Sequence, residues 1–198
     1  MTVLSRARNI IINPRVTWQV IKDETVEVKQ LFINYAAPLA LIPAICSLIG
    51  MTLFGVRMPS GLVVRAPFME ALTAGALGYV FHLVAVFIGG HIIKLLAPVF
   101  KSKVDLAASI KLAVFSMTPA WLAGVFSLIP GLGLLSILGL YGIYLFVLGL
   151  PVLLDTPPNK VVFYVLSVLV ASFVISLVLS LILVGTVYGP MYMRMMAA

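Results

Sequence analysis

The sequence predicts an all-α integral membrane protein with five transmembrane helices, and three observations carry that reading. The 198 residues are 63% hydrophobic and only 10% charged, with a mean hydropathy of +1.20. A soluble domain carries about a quarter charged residues, and a globule this small and apolar could not cover its own surface. Five stretches reach the about 20 apolar residues that cross roughly 30 Å of hydrocarbon: 31–54, 68–93, 106–129, 131–154 and 161–188. None of them alternates like a barrel strand, and membrane barrels are built from an even number of shorter segments.

The segment 1–30 precedes the transmembrane domain 31–198 and is amphipathic. Its opening run lacks the apolar core and cleavage site of a signal peptide, so the first span is expected to direct its own insertion. Asn13 before Pro14 makes a good helix start. From there Trp18, Ile21, Thr25, Val28 and Phe32 recur every three or four residues on one face, with Arg15, Gln19, Lys22, Asp23 and Lys29 largely off it. That pattern predicts a helix on the cytoplasmic membrane surface, with Trp18 at headgroup level. A cytoplasmic extension packed on the loops of the bundle fits the pattern equally.

The links between spans are 55–67, 94–105, a Pro130–Gly131 turn and 155–160, and the turn is short enough to make spans three and four a hairpin. Lysine and arginine counting orients the bundle. With the N-terminus inside, Arg6, Arg8, Arg15, Lys22, Lys29, Lys94, Lys101, Lys103, Lys111 and Lys160 are cytoplasmic, against Arg57, Arg65 and Arg194 outside. The N-terminus is therefore expected in the cytoplasm and the C-terminus on the opposite side, in the cytoplasmic (inner) membrane. Lys94, Lys101, Lys103 and Lys111 would form a basic cytoplasmic surface, with Lys111 snorkelling out from one turn inside its span.

Several features, taken in order, resemble the Yip family of membrane proteins, and within it the prokaryotic branch. They are Asn13-Pro14 with Trp18, Ile21 and Glu24; Tyr35 with Pro38; LAPVF at 96–100; KLAVFSMTPAWLAG at 111–124; Pro130; LYGIYLFVLGLP at 140–151; and Pro158 with Lys160. The resemblance covers 13–188. It implies five spans with a cytoplasmic N-terminus and a membrane-organising or adaptor role. Eukaryotic members bind Rab GTPases through cytosolic parts. The short N-terminal segment here leaves little room for that, so no Rab-type GTPase is expected as a partner.

Within the spans, Ala71, Gly75, Gly78, His82, Ala85 and Gly89 form one seam of the second helix, which small residues would turn toward the bundle interior. His82 sits near mid-membrane, where an ionisable group is a functional candidate by default. It is read as an uncharged imidazole with one donor and one acceptor to satisfy. The functional reading is a proton relay or cation site; the bland one is a hydrogen bond to a neighbouring helix, with Tyr141 or Tyr144 as the preferred partner. Glu70 lies three turns away at the outer end of the span. Ser116 and Thr118 precede Pro119, which removes a backbone donor and predicts a break, as Pro38 and Pro43 predict kinks in the first span. Gly139 and Gly142 suggest close contacts in the fourth span. Ser172, Ser176 and Ser180 form a row in the fifth, followed by Gly185 and Gly189 as a GxxxG pair. The second and fourth spans are thus expected at the packed centre.

Absences complete the picture. The single cysteine, Cys46, excludes an internal disulfide. No zinc, nucleotide or nucleophile-elbow motif occurs, and no cofactor or metal ion is expected. The basic residues form no aromatic-laced patch, so nucleic acid is not expected despite the net charge of +7. The partner expected is the lipid bilayer, with a homo-oligomer or another membrane protein left open. A non-enzymatic membrane-organising or adaptor protein is the leading reading, and a small channel or transporter using His82, Glu70 and the Pro119 break is the alternative.

Overall fold

The computed structural model describes residues 2–57, 63–129, 131–189 and 193, the side chains of 56, 57, 187 and 188 excepted. Pro130, Arg194 and all but one residue of the methionine-rich tail 191–196 lie outside the described residues. Five helical segments are long and apolar enough to cross a membrane: Val28–Phe54, Phe68–Leu96, Leu106–Leu128, Leu132–Leu154 and Pro158–Thr186. They fall where hydropathy places them.

Proline accounts for two of the departures from straight helix, the wide turn ahead of Pro38 and the break at Pro119. The first span runs through α3 (Val28–Leu31), a wide turn at Phe32–Ala36, α4 (Ala37–Ile49) and a second wide turn at Gly50–Phe54. In the first wide turn the Ala37 N–H reaches back five residues to the Phe32 carbonyl, just ahead of Pro38. Such π-turns absorb a missing backbone donor without ending the helix. Pro43 sits inside α4. The link to the second span carries a two-residue antiparallel ladder, β1 (Val56–Arg57) against β2 (Val63–Val64). The second span is a single helix, α5 (Phe68–Leu96).

Asp105 caps the third span, its carboxylate accepting from the Ala108 N–H at 3.1 Å. Helix α6 (Leu106–Ser116) stops at Met117, and α7 (Thr118–Ala123) restarts with Pro119 in its first turn, where its absent N–H costs nothing. A 3₁₀ segment, Gly124–Leu128, completes the span. Gly131 then turns the chain with φ of 100°, a left-handed conformation that side chains resist. A 3₁₀ run, Leu132–Leu140, leads into α8 (Tyr141–Leu153), and α9 (Pro158–Leu183) forms the fifth span.

The packed centre differs from expectation. Within the apolar 18-residue stretch of each span, 67% of residues are buried in the third and 33% in the fourth, but only 17% in the second. Helix α6 lies between α5, α8 and α3. The small-residue seam of α5 is turned inward, with Ala71 fully buried and Gly75, Gly78, His82, Ala85 and Gly89 half-buried, but the tightest approach lies beside it, where Val86, Gly90 and Ile93 are buried and a Cβ at Gly90 would stand 3.0 Å from the Ile110 Cα. The centre is therefore the third and fourth spans.

The amphipathic N-terminal segment is helical but folds as two pieces, α1 (Val3–Ile12) and α2 (Pro14–Asp23), and residues 24–27 are extended before α3. The headgroup placement of Trp18 is corrected. Its side chain is fully buried, edge-on to Phe115 at 6.2 Å. It fills a notch at Gly149, where an added Cβ would meet the indole at 2.9 Å. The segment packs on the helices of the bundle, since a Trp with a complementary notch buries more apolar surface in protein than at an interface.

Candidate functional site

Two regions gather the polar chemistry, a clamp on the N-terminal segment and a cavity within the spans. The clamp begins at Lys111, one turn inside α6. Its ammonium is buried and donates to the Ile21 carbonyl at 2.9 Å and to the Glu24 carbonyl. Both carbonyls lie at the C-terminal end of α2, where helical carbonyls lack partners and the helix dipole favours a cation. The expectation that Lys111 snorkels to form part of an exposed basic surface is corrected. A lysine with two carbonyls at hand is satisfied without reaching water.

Three further contacts fix the segment, one within it and two to the bundle. Arg6 pairs with Glu24, joining α1 to the end of α2. Lys22 pairs with Asp155 at 3.2 Å, and the Tyr141 hydroxyl donates to the Ile11 carbonyl at 3.0 Å. With Trp18 at Gly149 between them, these contacts advance together along α2 and α8, so the two helices run parallel. Loops join the same end: the Lys103 N–H donates to the Leu154 carbonyl at 2.8 Å, and the Ser102 and Thr156 hydroxyls share a hydrogen bond at 2.9 Å. The N-terminal segment, the 97–105 loop and the 154–157 loop thus occupy one end of the molecule. Arg8, Arg15, Lys29, Lys101 and Lys103 are exposed there, and Lys94 is half-buried. On the hairpin itself Leu4, Ile12, Val16 and Val20 also face outward.

The second region is a cavity of about 350 Å³ bounded by α5, α6, the middle of the fourth span and α9. Its walls are apolar except for His82, Ser116, Ser172 and Ser176, and no lining side chain carries a formal charge. His82 lies midway along α5, with its ring 6.4 Å from that of Trp121. His82 Nε2 and Ser116 Oγ are buried and have no hydrogen-bond partner among the described residues. Of the lining residues, Leu140, Leu169 and Ser176 are exposed, so the mouth lies between the fourth and fifth spans.

The remaining candidates scatter. The preferred His82 bond to Tyr141 or Tyr144 is absent: Tyr141 is turned to Ile11, and Tyr144 stands exposed with its ring 5.3 Å from that of Tyr141. Thr118, fully buried, shares a hydrogen bond of 2.8 Å with the Tyr35 hydroxyl, so the Pro119 break is sealed on that side. Glu70 does not line the cavity; twelve residues of helix put it about 18 Å from His82 along α5.

Among the small residues, Gly139 and Gly142 do allow close approach, to Ala120 and to the Ser116 carbonyl, and Gly75 faces the Ala44 carbonyl at 3.6 Å. Gly78 is half-buried in α5. Gly89 and Gly185 have nothing within 4 Å of an added Cβ, and Gly189 meets only the Val184 carbonyl of its own helix. Among the described residues, those three make no close packing contact with another helix. Ser172 and Ser176 were visible as a row, but spacing alone does not say that a row faces a cavity.

A model of the Yip1 domain matches residues 8–190, nearly the whole chain. The chain belongs to the Yip1 domain family. The inner membrane protein YohC of Escherichia coli strain K12 is 27% identical to it over 156 residues, which cover 77% of this chain and 80% of that protein. The protein of the same name from E. coli O6:H1 aligns with the same figures. No solved structure matches. In this Yip1-domain chain the matched region takes in the five helical spans, all of α2 and the second half of α1.

Proposed function

We propose that this Yip1-domain protein is a non-enzymatic membrane-organising or adaptor protein of the inner membrane, with its N-terminus in the cytoplasm. The observation that carries the reading is the α1–α2 hairpin clamped to the bundle by Lys111, with apolar residues Leu4, Ile12, Val16 and Val20 and basic residues Arg8 and Arg15 facing outward. An outward face of that composition lies in the boundary between headgroups and acyl chains. Anionic lipid adds about 1 kcal/mol of attraction per basic residue near its surface. The excess of lysine and arginine at the same end supports the cytoplasmic assignment, and the inner-membrane location follows the similarity to YohC.

Reconstitution tests the proposal. In liposomes containing anionic lipid the protein should narrow the vesicle diameter, and the Lys101→Glu/Lys103→Glu variant should lose that effect while inserting normally. The same liposomes should retain trapped ions and small solutes; specific flux would overturn the reading.

A second reading, a small channel or transporter, is favoured by one observation: the cavity with His82 at mid-span. It requires pH-dependent flux that His82→Ala abolishes without unfolding the protein.

A further inference from the structure

Two sets of contacts fix how the N-terminal hairpin stands against the spans. Followed back from Lys22 through Trp18 to Ile11, the chain meets Asp155, Gly149 and Tyr141 in turn along the fourth span. From Ile21 to Trp18 its partners on α6 pass from Lys111 to Phe115. Both series move away from the end of the molecule that carries the 97–105 and 154–157 loops, so α2 lies along the spans and not across them. We infer that α1–α2 is a re-entrant hairpin. It enters the leaflet at that end and turns inside it at residues 12–14, and the acyl chains of that leaflet are the partner of its outward face.

Helix lengths set the depth. The 10 residues of α2 extend about 15 Å. The turn is tied to Tyr141, whose neighbour Gly142 packs on the carbonyl of Ser116, the last residue of the 11-residue α6 and about 15 Å from its start. Half of a roughly 30 Å hydrocarbon core is the same distance. A helix lying flat on the membrane surface would meet α8 at one level, whereas these contacts run its whole length. The Arg6–Glu24 pair folds α1 back along α2, which returns Leu4 to the shallow end. Exposure suits such a position, since Leu4, Ile12, Val16 and Val20 all face outward. The polar residues near the turn have a way out of the hydrocarbon. Asn9, Asn13 and Thr17 line one recess with Arg6 and Glu24, and the long stem of the exposed Arg15 carries its guanidinium back toward the headgroups.

The inference rests on the membrane-organising reading and deepens it: the outward face begins at the headgroup boundary and runs down from there. Two helices, each about 10 Å wide, add their cross-section to one leaflet and expand it against the other. Depth can be measured directly. Full-length protein carrying Cys46→Ser takes one nitroxide at a time, at Leu4→Cys, Ile12→Cys, Val16→Cys or Val20→Cys, exposed positions whose replacement leaves the core intact. In liposomes of phosphatidylcholine and phosphatidylglycerol, the ratio of collisions with oxygen and with an aqueous nickel chelate reports depth. Positions 12 and 16 should be the deep pair and positions 4 and 20 the shallow pair. The steps should be about 6 Å between 16 and 20 and about 12 Å between 4 and 12.

Four labels at one depth would describe a hairpin lying flat and overturn the proposal. So would a label at position 12 that the chelate reaches as readily as one at position 4. A flat hairpin leaves the membrane-organising reading to stand or fall on vesicle narrowing. The depth ladder without narrowing refutes that reading and leaves the re-entrant hairpin in place, so the two failures remain distinguishable.

Discussion

Replacing Lys111 by methionine keeps the length of the side chain and removes only the ammonium that holds the end of α2. Its two bonds, to the Ile21 and Glu24 carbonyls, are charge-assisted and each is worth about 1.5–3 kcal/mol. Part of that is returned, because the variant no longer has to bury a charge. The Arg6–Glu24 pair and Trp18 in its notch remain. A net loss of about 2–3 kcal/mol is the reasonable balance, which raises the population of the undocked hairpin about 30- to 150-fold. The unit that opens is local, so it should appear in amide hydrogen exchange as faster exchange across α2 with α5 and α6 unaffected. Trypsin should cut at Arg8 and Arg15 correspondingly sooner. Unchanged exchange in α2 would refute the argument that the buried ammonium docks the hairpin.

Other substitutions separate the remaining contacts. Gly149→Leu puts a side chain into the Trp18 ring and should destabilise by about 1–3 kcal/mol, read as a lower thermal midpoint in detergent. Tyr35→Phe leaves Thr118 buried without its hydroxyl partner and should cost about 1–3 kcal/mol in the same assay, with Thr118→Val in that background recovering part of it. Asp105→Ala removes the cap of α6 and should cost about 1 kcal/mol. Lys22→Ala breaks an exposed pair and should change the midpoint little, about 0.5 kcal/mol or less.

The spans were legible because lipid imposes a length and a composition, and each proline or aspartate at a span end acts through its own backbone neighbourhood. Asp105 before α6 and Pro119 at the break are of that kind. Trp18 was not. Its periodicity marks an apolar face, but lipid and protein are both apolar partners, and the choice depends on a notch at Gly149 on a distant span. Lys111 failed similarly: its position says that the charge must be satisfied, not whether water or two carbonyls of α2 satisfy it. The α5 seam does face inward, but small residues permit close packing without requiring it, and at Gly89 the seam borders a cavity. His82 was found from its depth alone. Its neighbour Ser116 was found from the adjacent proline, and the shared cavity only from the fold.

Whether the outward face of the hairpin enters the bilayer tests the account most directly. With Cys46→Ser removing the native thiol, a spin label at Val16→Cys can be compared with one at Arg8→Cys in anionic liposomes. The account predicts that the label at position 16 is accessible to oxygen and shielded from an aqueous nickel chelate, and that the label at position 8 is reached by the chelate. Equal access of the chelate to both positions would place the hairpin in water and contradict it.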